Sequence, residues 1–159
     1  ELLHYTEGKF ASVTALEPDR RSFRKLNEWA SANITGDVTL VQAGAWSEDT
    51  VKCFTDQAGR QSRVAGQGKE TQMRALDSVL SGRPCTYLKM DVEGAEREAI
   101  AGAEKTIRQY APKLNIAAYH RSEDFFQLPL LIHALQPSYR LYLRHHPYVP
   151  AWDTNLYAI

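Results

Sequence analysis

The residues most able to do chemistry fall in one stretch, Thr86-Tyr-Leu-Lys-Met-Asp-Val-Glu-Gly-Ala-Glu96, where Asp91, Glu93 and Glu96 gather around Gly94. Carboxylates set this close accept hydrogen bonds from hydroxyl and ammonium groups and can assist loss of a substrate proton. Downstream lies His120. A histidine titrates near neutrality, which suits a general base that deprotonates an acceptor hydroxyl. Asp91, Glu93 and His120 together would also accommodate a divalent cation, but no local spacing specifies one, and no metal is assigned. A further acid, Glu17, stands before Pro18. Its paired acceptor oxygens suit the two hydroxyls of a ribose. Gly44 and Ala45 are small enough for close approach of a ligand ring, and Trp46 offers an apolar plate beside them.

Each of these residues has a plainer role to weigh against the chemical one. Glu93 and Glu96 fall in the first turn of a helix, where the dipole favours an acid by a few tenths to about 1 kcal/mol. On that ground Glu96 is read as structural. Gly94 serves equally well for close backbone packing. Trp46 suits a core or rim position, His120 a partly exposed strand end, and Glu17 the surface. Arg140, Tyr142 and Arg144 alternate with Tyr139, Leu141 and Leu143, as on a half-solvated strand, so this run and His145, His146 and Tyr148 beside it are not assigned to nucleic acid. Gly66-Gln-Gly-Lys69 is read as a turn, too short and isolated for a phosphate loop.

The elements that must position these groups alternate along the chain. Tyr87 to Val92 is brief and apolar after Pro84, which predicts a buried strand with Asp91 at its carboxyl end. Ala99, Ile100, Ala103, Ile107 and Tyr110 then recur at helical spacing and predict one helix to Pro112. Upstream, a helix tail ends at Gly8, Ser12 to Pro18 forms a strand, Asp19 caps a helix to about Asn33, and Val38 to Gln42 is a second strand. Val51 to Phe54 and Arg63 to Ala65 read as an antiparallel excursion, Thr71 to Ala75 as a further strand, and Leu76 to Leu80 as a helical turn. Lys113 to His120 is a strand. Ser122 would cap the next helix, which begins or kinks at Pro129 and buries Leu130, Leu131, Ala134 and Leu135. Tyr139 to His145 and Asn155 to Ile159 are joined too briefly for a parallel crossover and should pair antiparallel. The result is an α/β fold with a doubly wound, mostly parallel Rossmann-like sheet ending in an antiparallel hairpin, with ligands at the carboxyl ends of its strands.

Composition narrows the partners. The 159 residues suit a single domain, and Lys plus Arg equals Asp plus Glu at 19 each, so no global field draws the chain to nucleic acid or an anionic membrane. No run reaches the ~20 apolar residues of a membrane helix, and no signal peptide is visible. Cys53 and Cys85 have neither metal-ligand spacing nor the number for a disulfide scaffold, which predicts reduced thiols and a cytoplasmic setting. Homo-oligomerisation is left open.

The central stretch, LKMDVEGAE, resembles the signature of the FkbM family of S-adenosylmethionine-dependent methyltransferases. ALEPD at Ala15 to Asp19, VQAGAWSEDT, AGAEKTI and the tail from Tyr119 to His146 resemble further segments of that family in the same order. The resemblance implies a class I methyltransferase that carries a methyl group from S-adenosylmethionine to a hydroxyl of a sugar or other small molecule. It implies that Glu17 binds the cofactor ribose and that Ala45 and Trp46 border the adenine; Asp91, by its place at the strand's carboxyl end, is read as contacting the cofactor's amino group or a substrate hydroxyl, with Glu93 a further cofactor contact. Asp91 and His120 are the expected catalytic pair. The family's Gly-rich turn after its first strand has no counterpart, and the chain opens at Glu1 without an initiator Met, so an N-terminally truncated domain is expected. Two other readings are a non-catalytic α/β module and a nucleotide-sugar or NAD-binding enzyme; the terminal hairpin and the absence of GxGxxG oppose the latter.

Overall fold

The computed structural model describes residues 6–7, 9–54, 69–145 and 154–159. Most of the predicted helix tail up to Gly8, the strand at Arg63 to Ala65, most of the Gly66 turn, and His146 and Tyr148 lie outside them. The chain forms two compact units, Glu1–Gly44 and Ala45–Ile159.

In the first unit, β1 (Ser12–Leu16) and β2 (Asp37–Val41) pair in parallel, from Ser12 opposite Asp37 to Leu16 opposite Val41. Between them runs α1 (Arg20–Asn33). Asp19 caps it as predicted: its Oδ1 accepts the amides of Arg21 at 3.0 Å and Ser22 at 2.8 Å. Phe23 and Leu26 are half-buried and Ala30 is buried, while the intervening positions are exposed, so one stripe of the helix faces inward.

In the second unit, β4 (Thr50–Phe54) pairs antiparallel with β5 (Lys69–Arg74), so the partner found for the first excursion strand is the stretch read as a separate further strand. β3 (Gly44–Ala45), which starts at the last residue of the first unit, lies on the other side of β5. A four-stranded sheet follows, in the order β6 (Tyr87–Met90), β7 (Lys113–Ala117), β9 (Thr154–Ala158) and β8 (Leu141–His145). β6 and β7 are parallel; β9 runs antiparallel to both β7 and β8. The terminal hairpin is therefore present, and its second strand is the one that joins the sheet. Antiparallel pairing is also more extensive than expected, since among these pairs only β1–β2 and β6–β7 are parallel. β6 alternates, burying Leu88 and Met90 and exposing Tyr87 and Lys89, rather than being buried throughout.

The helix predicted after Asp91 is two helices, α3 (Glu96–Ala101) and α4 (Glu104–Tyr110). The apolar stripe is as expected, with Ala99, Ile100, Ala103 and Ile107 all in the core. The break has a tertiary cause in α2 (Leu76–Leu80). There the Asp77 amide takes the Gly102 carbonyl at 2.8 Å, out of the helical ladder. The Asp77 carboxylate then caps α4, accepting the amides of Lys105 and Thr106 at 2.9 Å and the Thr106 hydroxyl at 2.7 Å. Only glycine fits at 102, because a Cβ there would lie 1.9 Å from the Trp46 carbonyl oxygen.

The last helix, α5 (Asp124–Leu135), corrects two expectations. It starts ahead of Pro129, with Glu123 rather than Ser122 at the cap position. Its buried face is Asp124, Leu128, Ile132 and Leu135; Leu130 and Ala134 are exposed. Starting the helix five residues before the proline turns the i, i+4, i+8 row inward instead of the neighbouring one. No helix among the described residues is long and apolar enough to cross a membrane.

Asp77 thus holds a helix start that its own sequence does not cap. Asp77→Ala is expected to lower stability by about 2 kcal/mol, read as a lower denaturant midpoint, with faster hydrogen exchange at Lys105 and Thr106.

Candidate active site

The site is built where β6 and β7 end side by side. Their parallel register sets Met90 opposite Ile116, so the segments leaving both strands emerge at the same end. After β6 the chain turns sharply: Glu93 has φ 55° and Gly94 φ 93°, both left-handed, and the Ala95 amide closes the turn on the Val92 carbonyl at 3.2 Å. Glycine is favoured at 94 by its left-handed dihedral, while a Cβ there would be only slightly tight, 3.3 Å from Arg121 Nε and in ordinary contact with His120 Cβ at 3.7 Å. Glu93, a non-glycine residue in the same region, stores strain on the order of 1 kcal/mol. This turn carries Glu93 and Glu96 toward the segment that follows β7.

His120 is the centre of the arrangement. Its Nδ1 lies 2.8 Å from Glu96 Oε1, and its Nε2 lies 3.3 Å from Glu93 Oε2 and 3.6 Å from Asp91 Oδ1. Tyr119 donates its hydroxyl to Asp91 Oδ1 at 3.3 Å, and Lys89 Nζ stands 3.9 Å from Asp91 Oδ2. Exposure grades across the site: the Glu96 side chain is 0% exposed and His120 9%, against 32% for Glu93 and 40% for Asp91. One side of the imidazole is thus sealed and the other opens toward solvent.

The charges are strongly coupled. Burial would raise the Glu96 carboxyl, but the hydrogen bond and charge of His120, with the Val92 amide at 3.1 Å, hold it below the usual glutamate value. Burial likewise pulls His120 down, and the Glu96 hydrogen bond together with the charges of Glu96, Glu93 and Asp91 lifts it above an ordinary histidine. Behind Glu96, Asp124 is 1% exposed. Its carboxyl is raised by burial and by the charge of Glu96, against the opposing pull of Arg97, whose Nε lies 3.8 Å from Oδ1. Among the described residues, Glu96 Oε2 and both Asp124 oxygens have no hydrogen-bond partner.

Of the residues singled out in the sequence, Asp91, Glu93 and His120 come together here. Glu17 belongs to the first unit. It is half-buried, its Oε1 accepts the Asp19 amide at 2.8 Å, and burial raises its carboxyl while that amide pulls it back. Ala45 and Trp46 are half-buried at the start of the second unit. The Trp46 amide donates to the Arg74 carbonyl at 3.0 Å, and Lys52 Nζ sits 5.4 Å from the indole centroid, so one ring face already meets a cation. Glu96 corrects the sequence reading. Its helix-start position has an adequate dipole explanation, yet its carboxylate is buried against His120. Neither Tyr119 nor Asp124, an acid that suits the start of its helix, has a site role in the sequence reading, and only their neighbours reveal one. The ligand atoms of Asp91, Glu96 and His120 all lie within 4.8 Å of one another, close enough for a cation. In this arrangement Glu96 Oε1 instead receives the Val92 amide and faces His120 Nδ1.

A family model described as the methyltransferase FkbM domain matches residues 2–150. The chain is also similar to a crystal structure of methyltransferase FkbM from Methylobacillus flagellatus KT, with 32% identity, a TM-score of 0.80 and 99% of this chain covered. It spans 39% of that protein's length. No curated protein matches.

The coupling makes stability depend on pH with a definite sign. His120 binds its proton more tightly folded than unfolded, so its contribution is complete below the unfolded value and is lost as pH rises through the folded one. Glu96 is the reverse: its contribution holds above the unfolded value and fades as pH falls through the folded one. The pair therefore stabilises most at about pH 5–6, between the ordinary glutamate and histidine values. His120→Gln should remove the part of the fall in melting temperature that sets in as pH rises above the ordinary histidine value; an unchanged curve would remove the coupling.

Proposed function

Because the chain belongs to the FkbM methyltransferase family, we propose that it is an S-adenosylmethionine-dependent O-methyltransferase acting on a hydroxyl of a sugar or other small molecule. The observation that carries the acceptor chemistry is His120, with Nε2 beside Asp91 and Glu93 at the carboxyl end of β6 and its other nitrogen sealed against Glu96. The family model runs continuously through both compact units, which supports reading them as parts of one methyltransferase domain.

The acidic residues suit the cofactor's donors. Asp91 and Glu93 present partly exposed carboxylates after β6, and Glu17 presents a half-buried one after β1. Carboxylates accept from ribose hydroxyls and from an ammonium group. We assign Glu17 to the ribose, Asp91 and Glu93 to further polar contacts, and Ala45 and Trp46 to the adenine. When bound, S-adenosylmethionine supplies an electrophilic methyl group. The chain's own work is then positioning and proton removal. His120 Nε2 accepts the hydroxyl proton of the acceptor, and the charges of Asp91 and Glu93 stabilise the imidazolium that results. The free cysteines Cys53 and Cys85 support a reducing, cytoplasmic setting.

A base must be neutral to act, and His120 titrates above the usual histidine value. Methyl transfer should therefore rise with pH along a limb whose midpoint lies above that value. His120→Gln is expected to lower kcat by about a hundredfold or more while leaving affinity for S-adenosylhomocysteine within about twofold. Glu17→Ala should weaken that affinity by about tenfold, equivalent to about 1.4 kcal/mol. Calorimetric titration of S-adenosylhomocysteine and transfer of a labelled methyl group read these effects. Absence of binding both by this chain and by a form extended upstream would overturn the cofactor assignment.

A further inference from the structure

We infer that Glu96 is a positioning residue that locks neutral His120 as the Nδ1–H tautomer and so presents Nε2 as its basic nitrogen. The inference deepens the base reading of His120 and rests on it for its catalytic meaning, but its geometry stands apart. An ionised carboxylate only accepts hydrogen bonds, so the 2.8 Å contact between Glu96 Oε1 and Nδ1 requires the proton on Nδ1. The Val92 amide at 3.1 Å anchors the same oxygen. On the opposite side of the ring, Glu93 Oε2 at 3.3 Å and Asp91 Oδ1 at 3.6 Å are the competing acceptors. Both contacts are longer than a good charge-assisted bond and belong to partly exposed side chains. The buried, shorter bond wins the single proton of the neutral ring.

The surroundings favour keeping Glu96 ionised. Its charge interacts with those of His120 and Asp124, and Asp124 in turn interacts with Arg97, Arg121 and Glu123. Two buried carboxylates this close do not both ionise readily. Asp124 is the one whose carboxyl is raised, and Glu96 the one lowered. The opposed shifts favour the negative charge on the carboxylate that touches the histidine. Glu96 does not reach the reacting atoms; it acts through His120.

Two-bond proton–nitrogen correlation spectra of the histidine-labelled chain test this, with His120→Gln assigning the signal. In the wild type, His120 above its pKa should show Nδ1 protonated and Nε2 bare, a result that needs no variant. In Glu96→Gln its pKa should fall by about one unit or more and the two tautomers should mix. The same substitution should lower kcat about tenfold with KM little changed and move the acid limb of the rate profile down by the same shift, with Glu96→Asp recovering part of both. A wild-type Nε2–H tautomer, or an unaltered titration in Glu96→Gln, overturns the inference. So does a wild-type titration that changes on adding a chelator, since a cation would then hold these side chains. Full activity in His120→Gln, alongside an Nδ1–H tautomer in the wild type, would remove the base reading and leave the positioning geometry standing.

Discussion

The hydrogen bond between a fully buried glutamate and a nearly buried histidine is the contact on which the rest of this site depends. A carboxylate with no solvent contact is tolerated only when partners replace water. Glu96 has the Val92 amide and His120, one from its own turn and one from the far side of the β6–β7 pair. Losing either leaves a buried charge uncompensated. The bond therefore ties the first turn of α3 to the segment after β7, and it holds the imidazole while its other nitrogen faces Asp91 and Glu93.

That single contact demands several others. The chain must reverse within four residues to bring Glu96 back under the strand end, which is why two successive residues adopt left-handed dihedrals and why one is glycine. The strands must be parallel and in register, so that both loops leave at one end. α3 must stop early, because the Gly102 carbonyl is taken by Asp77 and the Trp46 carbonyl fills the space a side chain would need. Helix breaks of this kind come from competition between local and long-range hydrogen bonds. Here the long-range partner offers one bond to the helix end and three to the next helix start, which outweighs one continued turn.

Much of this was legible in the chain itself. Alternating strand and helix patterns, Asp19 as a cap, the apolar stripe from Ala99 to Ile107, and the pairing of the last two strands all follow from spacing and local chemistry. So did the grouping of Asp91, Glu93 and His120, since strand ends in such folds converge. The misplaced features share another character. The face of α5 depends on where the helix begins relative to Pro129, and a one-residue error in that phase rotates the stripe by about 100°. The split between α3 and α4 depends on Asp77, some two dozen residues upstream.

Residue type and spacing, then, determined the α/β order, the acids at the strand end and the histidine available to them, because these rest on periodicity and side-chain chemistry. The tertiary structure alone decided which carboxylate is buried. Glu93 and Glu96 are the same residue type three positions apart, in a turn where the helix dipole explains either equally well. The reversal at Glu93 and Gly94 leaves the first partly exposed beside Nε2 and drives the second beneath Nδ1. Burial is a property of what surrounds a side chain, and those surroundings come from β7, α5 and the loop after β7, which no local pattern around Glu96 contains.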